Sequence, residues 1–594
     1  MNFSAWSIRN PVPSILLFVL LTVVGILSFQ KLQIQDFPDM DLPTIQISAA
    51  LEGAAPSQLE TEVARKIEDK LTSLSLLDHI TTTITDGAVS INVSFELEKD
   101  AEAALSEVRN AVDSARADLP ADMSAPTVSK NTMANSAMLT FTAASSTLDE
   151  QDLSWFVDND LSKALLSVKG VASIKRIGGI DREMHIELDA ALMAGLGISP
   201  ASVSAQLKAA QKDSSGGQAD LGGQRQSTRT LGAVASPEAL AAFSIALTDG
   251  RYVRLDQIAR ISDSHAERSS LAYINGKPVV GVQLTRSRGY SDVTVAGEVR
   301  AALEKFNKAH PEVQLKEVSN TVQPIEDNYE GSIHLLLEGA LLAVLVVWWF
   351  LRDWRSTLVA AAALPLSIIP TFGFMYLAGF TLNTVTLLSL ALVVGILVDD
   401  AIVEVENIAR HLRMGKTPYQ AAMEAADEIG LAVIATTFTL VAVFLPTAFM
   451  SGVVGRIFRQ FGVTASVAVL ASLLVARLLT PMMAAYLLKN APVAEEEKDS
   501  AFMSRYMGWA RRCLKYRKTT VVAASVFLLL SLAMIPLLPS GFLPSQDNGQ
   551  TRISLELAPG STLEQTRQAS AKASELLLGL PEVKSVFAAV GSST

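Results

Sequence analysis

Leu387–Asn407 reads LLSLALVVGILVDDAIVEVEN, and the reading of this stretch decides the rest. An apolar run leads into two adjacent aspartates, Asp399 and Asp400, and apolar residues resume at Ala401, Ile402 and Val403. Lipid cannot solvate carboxylates. In a membrane helix such groups face protein or a water-filled path, and proton relays are a common use of them. Asp400 and Glu404 are four residues apart, and Asp399–Glu406 and Asp400–Asn407 are each seven apart. At about 3.6 residues per turn these fall on one broad stripe of a helix. The stripe runs toward Arg410, His411, Arg413 and Lys416. The alternative places the aspartates at the membrane interface. Leu382 to Asp400 rises roughly 27 Å at 1.5 Å per residue, close to the ~30 Å hydrocarbon thickness. Polar Thr381, Asn383 and Thr384 argue that the helix starts outside lipid, which moves the pair inward.

Working outward, the 594 residues are 49% hydrophobic, with net charge −11 and mean hydropathy +0.31. That combination predicts a membrane protein with a large aqueous part. The acidic balance argues against nucleic acid as a partner. A lone cysteine, Cys513, excludes an intramolecular disulfide framework. The six histidines show no metal-ligand spacing, and each reads as a surface or loop residue. With no Walker-type phosphate loop and no nucleophile–base motif, neither an enzyme nor a cofactor is expected.

Residues 11–29 are long and apolar enough to span, and no A-x-A-like cleavage site follows them. Five further spans are predicted at about 333–351, 357–378, 382–407, 431–451 and 461–488, and a seventh at about 519–537. Arg9, Arg352, Arg355, Arg410, Arg413, Lys416 and the basic cluster after the sixth span fall on one side; Arg456 and Arg459 do not. The positive-inside rule then places the N-terminus in the cytoplasm and residues 36–332 outside it. An amphipathic stretch, Ser504–Tyr516, is expected on the inner surface. Within 36–332, strand patterns at Thr44–Leu51, Val89–Leu97, Ala137–Ala144, Val171–Ile177 and Glu183–Leu188 alternate with helical patterns, predicting small βαβ subdomains. Residues 213–230, rich in Gly, Ser and Gln, read by composition as a flexible surface loop.

The chain then repeats itself. After the first span comes a proline-bearing acidic entry, an alternating strand (IQISAAL) and a helix opening at Leu59-Glu60. After the seventh comes the same series, with RISLEL as the strand and Leu563-Glu564 opening the helix. Internal repetition of this size is a transporter signature. The second copy stops at Thr594 soon after it begins, so the expectation is about half of a longer protein. The predicted divisions are 1–30, the first span; 31–332, an extracytoplasmic region; 333–489, spans two to six; 490–518, a linker with the interfacial helix; 519–538, the seventh span; and 539–594, the start of the second copy.

Gly395–Arg410 (GILVDDAIVEVENIAR), Phe444–Phe461 (FLPTAFMSGVVGRIFRQF), Asp36-Phe37-Pro38 and Leu479-Thr480-Pro481 resemble the resistance–nodulation–cell division (RND) efflux pumps, in particular the hydrophobe/amphiphile branch. The resemblance implies an α-helical membrane bundle with an extracytoplasmic α+β region of ferredoxin-like porter subdomains. It implies proton-driven export of hydrophobic or amphiphilic compounds from a Gram-negative inner membrane. It also implies a homotrimer working with a periplasmic adaptor and an outer-membrane channel. By position, Asp399 and Asp400 match the family's proton-relay carboxylates, with Glu404 and Arg477 as possible support. The resemblance turns 213–230 from a loop into an arm that reaches a neighbouring subunit. Two departures stand out. Ala137 and Ile177 occupy positions where the family's drug pocket carries phenylalanine, and the family's relay lysine falls past Thr594.

Two adjacent carboxylates in low dielectric repel when both are charged, so one should keep its proton, and proton uptake would let the helices repack. Arg477, in LLVARLLTP, is either an ion-pair partner of the aspartates or a snorkelling or locally paired side chain. The competing functions are metal export by the heavy-metal branch, for which Met123, Met133 and Met138 are too scattered, and an incomplete, non-transporting subunit.

Overall fold

In the computed structural model, the residues described are 3–51, 53–121, 123–132, 136–210, 214–221, 224–230, 234, 236–247, 250–489, 501–538, 549–558 and 560–591. The chain forms two compact units. One comprises Met1–Met133, Ser291–Val293 and Gln323–Ser554; the other comprises Ala134–Tyr290, Thr294–Val322 and Leu555–Thr594.

The first unit holds seven helices long and apolar enough to cross a membrane, among the described residues. They are Pro11–Phe29, Gln323–Leu351, Trp354–Leu377, Thr384–Arg413, Pro418–Phe449, Gly452–Leu487 and Arg517–Leu537. All seven coincide with stretches whose composition predicts a span, and most run several residues beyond the apolar window. The fourth is the hub of the bundle, packing against the second, third, fifth and sixth. The seventh buries none of its residues.

Close packing in lipid rests on small residues rather than on hydrophobic drive. The first and third spans show this. A Cβ on Gly25 would lie 2.1 Å from the Ile369 carbonyl oxygen, and Gly373 faces Gly25 across the same crossing. Gly25→Leu is expected to pry the two helices apart at a cost of about 1–3 kcal/mol. A lowered melting temperature of the purified protein would register it.

The same unit carries a sheet of β1 (Asp41–Ala50), β2 (Leu77–Thr85), β3 (Ala88–Phe95) and β4 (Thr127–Thr132), ordered β2-β3-β1-β4 and antiparallel throughout. On β1, Ile45, Ile47 and Ala49 point inward while Gln46 and Ser48 do not, as strand alternation requires. They meet Leu59, Val63 and Ile67 of one helical run and Val108 of the helix Ala101–Ala115. That second helix is capped by Asp100, whose Oδ2 accepts from the Glu102 and Ala103 amides at 3.1 and 2.9 Å.

The second unit repeats the topology. β5 (Ala137–Ser145), β6 (Val171–Ile177), β7 (Lys277–Arg286) and β8 (Val313–Asn320) are ordered β8-β5-β7-β6. The long excursion between β6 and β7 has its own core of Met193, Ile198, Val203, Ile245, Leu255 and Ile258. Within it, Ser214–Leu221 and Gln224–Thr230 pair antiparallel as a hairpin, correcting the flexible-loop reading of 213–230. Paired strands satisfy each other's backbone N–H and C=O groups, a gain that a Gly/Ser/Gln composition does not reveal.

In the stretch read from the sequence as a second copy, the helix Leu563–Leu578 forms, capped by Thr562, and Phe587–Val590 pairs with Leu271–Ile274. The strand expected at RISLEL does not form: residues 551–558 adopt no regular structure. β1, the strand it matches in sequence, is held between β3 and β4, whereas 551–558 join no sheet among the described residues. The entry to that copy and residues 490–500 of the linker lie outside the described residues.

Candidate functional site

The fourth span begins at a built cap. Asn383 Oδ1 accepts from the Val385 and Thr386 amides, each at 3.0 Å, and the Asn383 amide donates to Thr386 Oγ1 at 2.9 Å. Asn383 Nδ2 donates to Gln460 Oε1 of the sixth span at 2.7 Å, fixing the two helices at this end. From there the helix runs 30 residues without interruption to Arg413, so Asp399 and Asp400 stand at its midpoint and cap neither end.

The single stripe expected from the sequence is two stripes. Leu388, Leu392, Gly395, Asp399, Val403, Glu406 and Arg410 recur every three or four residues and are all exposed, forming one uncovered face. Asp400, Glu404, Asn407 and His411 follow the same period on a different face, which is turned into the bundle. The two adjacent aspartates therefore have different surroundings. Asp399 is exposed and Asp400 is half-buried.

Asp400 is lightly held. Ser472 of the sixth span donates well to the Leu397 carbonyl at 2.9 Å, and its hydroxyl is 3.5 Å from Asp400 Oδ2, the outer limit of a hydrogen bond. One turn on, Glu404 is 0% exposed, and neither of its carboxylate oxygens accepts a hydrogen bond among the described residues. Its partner is Arg477, whose Nη1 lies 3.7 Å from Glu404 Oε2 and whose side chain is 12% exposed. That distance makes a Coulombic pair but not a hydrogen bond. The same Nη1 donates to the Ala426 carbonyl of the fifth span at 2.7 Å. Arg477 thus pairs with Glu404 rather than with either aspartate, the local pairing that was one of its two readings.

Two local features bring Arg477 to that place. Val475–Leu479 is a turn of π-helix inside the sixth span, a local expansion frequent at functional sites. Gly430 of the fifth span supplies the room: a Cβ there would lie 2.6 Å from Arg477 Nη2 and 3.0 Å from Cζ. Gly430→Val is expected to displace the guanidinium from Glu404. The melting temperature should fall, and Gly430→Ala should fall less.

At the basic end of the helix, His411 is 7% exposed, which corrects its reading as a surface residue. Its Nε2 lies 2.8 Å from Glu428 Oε2, and Lys416 Nζ donates to its Nδ1 at 2.9 Å. A lysine donating to Nδ1 assigns the ring proton to Nε2. Arg410 Nη2 donates to both oxygens of Glu428 at 2.7 Å, and Asn407 Nδ2 donates to the Ala425 carbonyl at 3.1 Å. Sequence reasoning missed Ser472, Gly430 and Glu428, and named His411 only within the basic segment that the stripe approaches. For His411 alone a signal existed, since it continues the Asp400–Glu404–Asn407 period.

The profile of the AcrB/AcrD/AcrF family matches residues 3–594. The multidrug resistance protein MdtC of Pectobacterium atrosepticum is 32% identical over 559 residues, covering 93% of this chain and 54% of the relative. MdtC of Yersinia pseudotuberculosis is 30% identical over 608 residues, covering 100% of this chain and 59% of the relative. The chain thus spans somewhat more than half the length of the curated relatives it matches.

Proposed function

The chain belongs to the AcrB/AcrD/AcrF family, the RND efflux pumps, and from that premise we propose that it serves proton-driven export of hydrophobic or amphiphilic compounds. The observation that carries the reading is Asp400: a carboxylate at the midpoint of a long apolar helix, half-buried and held among the described residues by one marginal contact. A group so placed is free to gain and lose a proton as its surroundings repack. A proton crossing the membrane supplies about 2.3 kcal/mol per 100 mV, enough to bias a two-state bundle. Asp399, on the uncovered face, is the second relay carboxylate.

The rest of the assembly follows the same reading. The order β2-β3-β1-β4, recurring as β8-β5-β7-β6, supports ferredoxin-like porter subdomains within 31–332. The hairpin over 214–230 supports an arm between subunits of a homotrimer. The bias of Lys and Arg supports a cytoplasmic N-terminus, and membership of the family supports a Gram-negative inner membrane. A periplasmic adaptor and an outer-membrane channel complete the path outward.

The test is dye export by the intact transporter in everted membrane vesicles from a host stripped of its own pumps. Export should stop when a protonophore collapses the gradient, and ATP alone should not restore it. Export that persists without the gradient would overturn the reading.

A further inference from the structure

The buried stripe of the fourth span continues past Asp400 to the basic end of the helix. Asp400, Glu404, Asn407 and His411 lie within roughly 60° of one another on the helix wheel at about 100° per residue. Apolar packing surrounds them: Leu397, Val398, Ala401, Val405 and Ile408 are all buried. A structural ion pair buried this deeply is expected to close into short, bidentate hydrogen bonds, because the desolvation cost is otherwise not offset. Glu404 and Arg477 do not close. Among the described residues, nothing donates a hydrogen bond to either oxygen of Glu404, while Arg477 holds the Ala426 carbonyl. Glu404 is therefore a buried carboxylate kept near a positive charge but left with its oxygens available.

We propose that Asp400, Glu404 and the Glu428–His411 pair form a proton path along the inner face of the fourth span, with Arg477 positioning Glu404. This rests on the relay reading of Asp400. Among the described residues, the charged groups facing Glu404 and its continuation are Arg477 of the sixth span, Glu428 and Glu424 of the fifth, Lys416 of the connecting loop, and Arg410 of the fourth span itself, which holds Glu428. One proton leaves an Asp400 oxygen and, through intervening water, joins a Glu404 oxygen; one O–H bond breaks and one forms. The proton then passes to the Glu428–His411 pair. Glu428 is half-exposed, so the last transfer is to bulk water at the basic end. Asn407 cannot carry the proton and instead orients Glu428, its Nδ2 lying 3.4 Å from Glu428 Oε2.

The test compares three variants of the intact transporter for proton-driven dye export in everted vesicles. Glu404→Gln is expected to slow export at least tenfold. The double variant Glu404→Gln/Arg477→Met removes both charges and keeps an unbranched chain at 477. A purely structural pair can be replaced in this way without loss. The path instead predicts a double variant that melts like the parent and still exports at least tenfold more slowly. Parental export by the double variant overturns the path while leaving Asp400 in place, provided Asp400→Asn is inactive. Parental export by Asp400→Asn overturns the relay itself, and the path with it. If the double variant does not melt like the parent, His411→Gln decides, because it leaves Glu404 and Arg477 untouched. Export slowed severalfold upholds the path, and full-rate export overturns it.

Discussion

Asp400→Asn abolishes export by the intact transporter and leaves the protein at parental abundance in the membrane. Asparagine has the size of a protonated aspartate and offers an acceptor oxygen to the same Ser472 hydroxyl, which already gives its better bond to Leu397. The half-buried site loses a charge, which costs nothing in packing and relieves desolvation. What disappears is the ability to alternate between two charge states. Without it the gradient has no differential grip on the two arrangements of the bundle, and an equilibrium moves only by differential interaction. Drug susceptibility of a pump-deficient host should return to that of cells lacking the transporter, with an unchanged immunoblot. Asp399→Asn should behave alike. Near-normal export by either variant rejects the assigned role.

Arg477→Met has the largest expected effect on stability. Glu404 is 0% exposed, and Arg477 is its ion-pair partner among the described residues. Breaking one side of a buried pair strands the other charge, at about 3–5 kcal/mol. The purified variant should melt well below the parent. Adding Glu404→Gln to it should recover most of the loss, because the stranded charge is then gone. That non-additivity is the signature of two side chains in contact. A double variant no more stable than Arg477→Met would show that the two do not interact.

The sequence makes some of this legible and not the rest, for identifiable reasons. Spans are legible because lipid demands about 20 apolar residues in a row, and nothing in a soluble fold mimics that. β1 and β3 are legible because one face is Ile and Val and the other polar. β2 is not: in LDHITTTIT the half-buried positions Ile80, Thr82 and Ile84 alternate with exposed Thr81, Thr83 and Thr85, and threonine on both faces blurs the contrast. RISLEL shows the converse, a strand pattern that pairs with no neighbour among the described residues. In the site, Asp399, Asp400 and Glu404 stand out because charge in an apolar run is costly. The ion pair of Glu404 and Arg477 does not stand out, since 73 positions separate them and only the packing of the fourth span on the sixth brings them together. Gly430 is invisible for the same reason: its value is an absence of atoms opposite a side chain on another helix.

The widened turn at Val475–Leu479 has one more consequence. On the fourth span, Asp400 and Glu404 are four steps apart; on the sixth, the residues that answer them, Ser472 and Arg477, are five steps apart. In an ordinary α-helix five steps swing a side chain by about 140° from where it began. The extra residue absorbs that swing and keeps two ladders with unequal rungs in step. Apolar exchanges at Val475, Ala476, Leu478 or Leu479 should therefore be tolerated far better than the loss of a single residue, which would rotate everything beyond it out of phase.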